Sequence, residues 1–198
     1  MADNNRDYLN VIERKLVDEL RIYFNTVDGS AANPKVFVSG QFPETEELKF
    51  PSVIVQQIGS GFEEQFVGEK VTFGGAEYSG EIYGVGFLIH ILVDKEAELD
   101  VGTSPQGSTK YRQRRLLNWM MLNIANVLND IDWATEVGTG NPGAAAAPSE
   151  LSYNPQYDAS VDIQERHLQA WRDVGFTPLM QWWGASAQFM LTFLNYRS

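Results

Sequence analysis

The sequence predicts an α+β fold: a mixed, mainly antiparallel sheet packed against two long helices, with a projecting hairpin or arm and a long Gly/Ala/Pro loop. Three observations carry this. Two stretches repeat apolar residues at three- and four-residue steps, and one twelve-residue stretch alternates apolar residues at every second position. The rest of the chain breaks into short alternating runs separated by glycine and proline.

The first periodic stretch, Asn5 to Val27, places Leu9, Ile12, Leu16, Leu20 and Tyr23 on one face of a helix, with Arg14, Asp18 and Arg21 opposite. Gly29 and Pro34 in "VDGSAANP" break it, and a short strand follows at Lys35 to Ser39. "SVIVQQI", opened by Pro51, reads as a second strand whose Val53, Ile54 and Val55 are buried on both faces. Residues 59–80 are glycine-punctuated with short β-like pieces, and read as a hairpin or arm. In "IYGVGFLIHILV" the odd positions Tyr83, Val85, Phe87, Ile89, Ile91 and Val93 make one apolar face. Twelve residues at ~3.3 Å each reach about 40 Å, twice an ordinary strand. Gly84 and Gly86 within it mark a bulge or a close backbone approach.

The second helix is expected over Thr109 to Ile131, with Leu116, Leu117, Met120, Met121, Ile124, Val127 and Leu128 as its core stripe. Arg112, Arg115, Trp119 and Leu122 then fall on its other side. A tryptophan there points either to a second surface to cover or to a loop of the same chain lying over it. Residues 132–160 form the long Gly/Ala/Pro insertion, and Val161 to Val174 reads as a short helix or an edge strand. "FTPLMQWW" and "GASAQFMLTFLNY" close the chain as strands. At 198 residues a single domain over 1–198 is expected, large enough to bury roughly 70% of its unfolded surface without disulfide or metal.

Composition narrows the function classes. With no cysteine, a disulfide scaffold, thiol catalysis and thiolate-held zinc are excluded. No run reaches the ~18 apolar residues that span a bilayer, and the start lacks a signal core, so a soluble, non-secreted chain without a membrane partner is expected. Net charge is −11, and from Gln41 to Asp100 twelve acidic residues face only Lys49, Lys70 and Lys95, a net of −9. Such a balance opposes tight binding to nucleic acid, which needs lysine and arginine on phosphates.

"DVGTSPQGSTKYRQRR", residues 100–115, imitates a phosphate-binding loop. In such a loop lysine follows the second glycine directly, so that its ammonium meets the phosphates cradled by the backbone. Here Ser108 takes that place and Lys110 is displaced by two positions, with Asp94, Glu96, Glu98 and Asp100 before the loop and Asp132 after the helix. The stretch is read as coincidence. Its basic residues, Lys110, Arg112, Arg114 and Arg115, would oppose the dipole of a helix starting at Thr109. Either acidic residues of a neighbouring subunit or water must offset that. "GSGF" at 59–62 lacks the third glycine of a dinucleotide turn. His90 and His167 have no spaced partner for zinc or a catalytic triad, and the pairs Glu63/Glu64 and Glu46/Glu47 read as solvated surface. No cofactor and no enzymatic activity are expected.

The order of "NVIERKLVDELRIYF", "FPSVIVQQI", "YGVGFLIHILVD", "STKYRQRRLLNWMMLNIANVLND" and "GASAQFMLTFLNY" resembles the tail terminator and tail completion proteins of tailed bacteriophages over nearly the whole chain. The resemblance implies a virion protein, assembled in the host cytoplasm, that forms a hexameric ring on the last ring of the tail tube. Its implied partners are further copies of itself, the tube protein, a neck or connector protein and, in a contractile tail, sheath protein; DNA passes through without specific binding. By the same resemblance Glu63, Glu64 and Glu69 are candidates for an acidic channel lining. Arg112, Arg115, Trp119 and Leu122 are candidates for a subunit or partner interface. Two alternatives remain: another neck component, such as a head-tail connector or head completion protein, and a nucleotide-dependent enzyme.

Overall fold

The structure is a computed structural model that describes residues 8–41, 48–65, 71–73, 76–104, 107–131, 163–177 and 181–197. The 132–160 insertion and Glu69 therefore lie outside the described residues.

Helix α1 (Tyr8–Val27) is followed by a small ladder of β1 (Gly29–Ser30) with β2 (Asn33–Pro34), and then by β3 (Phe37–Ser39). Next come β4 (Ser52–Gln65), β5 (Val71–Phe73), β6 (Ala76–Asp94), β7 (Glu98–Ser104), β8 (Gly107–Arg112) and helix α2 (Gln113–Asp130). Three strands close the order: β9 (Ile163–Leu168), β10 (Arg172–Thr177) and β11 (Trp182–Arg197). The main sheet runs β10-β11-β6-β4-β3, with β9 also on β11 and β5 also on β6. Its ladders are antiparallel except β3 with β4, which is parallel. The α+β expectation is met, with a mixed, mainly antiparallel sheet and two long helices.

Both helices form for the reason their spacing gives. In α1, Ile12, Leu16, Leu20 and Phe24 recur every fourth residue and are fully buried. In α2, Leu116, Leu117, Met120, Ile124 and Leu128 are fully buried, with Met121 and Val127 packed beside them. These stripes meet one face of the sheet. On β6 that face carries Val85, Phe87, Ile89, Ile91 and Val93, all without exposed surface. Register extends it sideways: Val53 and Val55 of β4 lie opposite Ile91 and Ile89, and Ala185, Phe189 and Leu191 of β11 lie opposite Ile91, Phe87 and Val85. Complete burial of such a side chain stabilises by about 1.5–3 kcal/mol, so this layer dominates the fold's energetics. Ile54, on the far face, is fully buried as well, as the run Val53–Val55 indicates.

Two elements depart from expectation, and a third resolves between two readings. Gly107–Arg112 is strand rather than the opening of α2, because Glu98 and Asp100 stand opposite Arg112 and Lys110 while Leu99 is buried and Tyr111 packs on the core. The helix begins only at Gln113, whose φ of 52° turns the chain out of β8. Of the two readings for 161–174, the described residues 163–174 take the strand one on both sides of Trp171, since β9 and β10 find partners along β11. "FTPLMQWW" is not one strand: Thr177 pairs back onto Trp182 across the β10–β11 connection.

Gly86 shows the close approach expected of it. A Cβ there would stand 3.0 Å from Met190 Sδ and 3.3 Å from Ile58 Cγ1. Ile58 is the extra residue of a bulge, since Gln57 pairs with Phe87 and Gly59 with Gly86.

Candidate interaction surfaces

The basic stretch ahead of α2 is largely neutralised within the chain. Lys110 Nζ donates to Glu98 Oε1 at 2.6 Å, and the Arg112 guanidinium binds the other oxygen of the same carboxylate. Hydrogen bonds from Lys110 and then Arg112 hold the Glu98 carboxyl below the usual carboxylate range, and Glu98 in turn raises the Lys110 ammonium. One turn on, Arg114 pairs with Asp173 of β10. Lys110 and Arg112 thus lie in a β-hairpin, not in a first helical turn, and within the chain both pair with Glu98. Gly107 opens a strand paired with Ser104, and the helix starts six residues later, so no helix N-terminus directly follows the second glycine.

Of the four interface candidates, Trp119 faces inward. Its ring stacks on Tyr23 at 6.3 Å between centroids and meets Phe24 and Tyr111 edge-on at 6.2 and 6.3 Å. Asn123 fastens this seam between the helices, accepting from Tyr23 Oη at 2.6 Å and donating to the Trp119 carbonyl at 2.7 Å. Burial raises the Tyr23 hydroxyl's pKa, consistent with a phenol kept as a donor. Arg115 lies on the outer side, its guanidinium 4.3 Å from the centre of the Tyr111 ring. Leu122 is 63% exposed. The outer side of α2 therefore presents Arg115 and Leu122, while Trp119 serves the α1–α2 seam and Arg112 the hairpin.

Of the acidic candidates, two lie on a described strand. Glu63 and Glu64 belong to the backbone of β4, where Glu64 pairs with Ile82 and Glu63 is the extra residue of a second bulge. On α1, Asp18 sits between Arg14 at 3.8 Å and Arg21 at 3.4 Å, yet its pKa is raised, because burial outweighs both guanidinium groups. Arg21 also donates to the Val38 carbonyl at 3.1 Å, anchoring α1 to β3. This cluster is architectural.

His90 is half-buried on the sheet face away from the helices, between Ile54 of β4 and Ser186 of β11, and burial lowers its pKa. His167 is exposed on β9. Among the described residues no three His, Cys, Asp or Glu side chains gather as a metal site, and no helix is long and apolar enough to cross a membrane.

Sequence reasoning missed the sheet's two margins. Ile58 on β4 is 46% exposed, and Val174 and Phe176 on β10 are 60% and 44% exposed. Phe176 leans on Trp183 with ring centroids 4.6 Å apart. Composition held a weak signal for the β4 margin, since no charged residue or proline occurs from Ser52 to Phe62. The bulge that turns Ile58 outward has no signature in the sequence. A scan against known protein families finds no matching family for this chain, and a search of curated proteins finds no match either.

Proposed function

We propose that this chain is a structural protein of a tailed bacteriophage, forming a ring at the head-proximal end of the tail tube. There it ends tube polymerisation and offers the surface that joins the head or neck. It works without turnover and without a cofactor, in contact with its own copies, the tube protein and a neck protein, with sheath as a further neighbour in a contractile tail. DNA slides through the ring, and the acidity of residues 41–100 suits a passage that must not hold phosphate.

The observation carrying this reading is a central ladder far longer than an ordinary strand pair, running from Asp94 with Trp182 to Ser79 with Arg197. On it Val85, Phe87, Ile89, Ile91 and Val93 of β6 are fully buried, with Phe193 of β11 buried opposite Tyr83. Backbone pairing continues past that level, to Ser79 with Arg197 and to Glu81 with Gln65. From Tyr83 to Ser79, four further residues of β6 add about 13 Å of ladder. A three-stranded ribbon of that kind suits contact with a neighbouring subunit better than a closed monomeric fold. The exposed Leu122 and Arg115 on α2 supply a second such surface.

Light scattering combined with negative-stain imaging tests the reading. Annular particles of several copies with an axial opening are expected, hexameric by the resemblance in element order. A protein that stays monomeric and binds ATP would overturn it in favour of an enzyme.

A further inference from the structure

The two margins of the main sheet are complementary to each other. On one side, β3 pairs with β4 only at Ser52–Ile54, so among the described residues the outer edge of β4 is open from Val55 onward. Gln56, Ile58, Gly59 and Ser60 are exposed there. On the other side, β9 pairs among the described residues with β11 alone, on one edge, and its Glu165, Arg166 and His167 are exposed. An open edge is a row of backbone donors and acceptors ready for another strand.

Register puts these edges at the same level. Reading across the sheet, Gly59 lies opposite Gly86, Gly86 opposite Met190, and Met190 opposite His167. Likewise Ser60 runs through Val85 and Leu191 to Arg166, and Gly61 through Gly84 and Thr192 to Glu165. Direction agrees too. Each ladder from β4 through β6 and β11 to β9 is antiparallel, so β9 runs opposite to β4. A second copy set beside the first in the same orientation would bring its β9 against β4 as one more antiparallel strand. The lower half of each margin is already taken within the chain, since β3 covers β4 at the level where β10 lines β11.

Side chains fit as well. Gly59, Ser60 and Gly61 are small, and the facing residues Glu165, Arg166 and His167 are long. Among the described residues a Cβ on Gly59 would meet nothing within 4 Å, so crowding within the chain does not require a glycine there. Glycine inside a strand is a mark of another backbone or side chain drawing close. The bulges at Ile58 and Glu63 bend the edge and disfavour indiscriminate strand addition, leaving the short level stretch Gly59–Phe62 between them.

We infer that copies of this chain join head to tail by pairing the Gly59–Phe62 edge of β4 with the β9 edge of the next copy, making one sheet continuous from subunit to subunit. The junction uses different surfaces on its two sides, the kind of contact that closes into a ring when its rotation allows. The inference rests on the ring reading above and names the contact that would build it.

The protein has no cysteine, so a Ser60→Cys/Arg166→Cys variant tests the junction directly. Facing Cβ atoms in such a pair stand about 4.5–5.5 Å apart, within reach of a disulfide after small adjustment. Mild oxidation of the concentrated protein should give a ladder of covalent dimers, trimers and higher species on a non-reducing gel, absent from either single variant. Ser60→Arg should weaken association by about tenfold or more, and Ser60→Arg/Arg166→Glu should recover it. Assembled particles that give no ladder would overturn the edge junction while leaving the ring intact. Cross-linking by Ser60→Cys alone would replace it with a two-fold contact of β4 with itself. No assembly at any concentration would remove both the junction and the ring.

Discussion

At the scale of single residues, His90 links the sheet to pH. Its imidazole is half-buried between Ile54 and Ser186, and burial holds its pKa below 6.5. As pH falls, the unfolded chain therefore takes up this proton before the folded one does. The associated stability is complete above about 6.5 and is lost as pH drops through the folded-state value. His90→Gln should flatten this part of the decline in urea-unfolding free energy between about pH 7 and 5; identical slopes in both proteins would show that His90 is not responsible. Glu13 and Asp18 act with the other sign, because burial raises both pKa values. Their contribution is greatest below their unfolded values and is lost as pH rises through the folded ones.

Helix α2 shows how one element divides its duties. Trp119 fills the seam with α1, whereas Leu122 points outward from the same helix. Trp119→Ala should cost about 2–4 kcal/mol, below the full-burial range because the ring is only partly covered. Leu122→Ser should stay within about 0.5 kcal/mol in the isolated subunit. Chemical denaturation of both variants checks this, and equal losses would place Leu122 in the core. The stripes of both helices were legible because a period of four residues is a property of sequence. The start of α2 was not. Residues 109–112 are compatible with a helix by themselves, and only pairing with Glu98 and Asp100, ten or more positions from their partners, turns them into a strand. The same distant acids explain why the basic run misled: charge can be counted along a chain, but pairing cannot.

At the level of the whole molecule, the α+β layering and the apolar face of β6 could be read in advance, since alternation records which side of a strand meets the core. The strands β9 and β10 could not be assigned, because their extended form depends on β11, whose central position no local pattern reveals. The margins escaped for the same reason: an open edge is defined by which strand fails to lie beside it. If the ring reading holds, Glu63→Lys/Glu64→Lys/Glu69→Lys should leave particle assembly unchanged while impairing passage of DNA and lowering infectivity. Wild-type titres from that variant would count against an acidic lining.

The position of β11 also bears on how the protein is made. It follows every other described element in sequence, yet it lies between β6 and the strands β9 and β10. A ribosome must therefore deliver residues up to Arg197 before the two halves of the sheet can be bridged. Until then the apolar partners of Phe189, Leu191 and Phe193 stay uncovered, and the long sequence separations of these contacts favour slow closure. A nascent or truncated chain would thus lack the finished sheet.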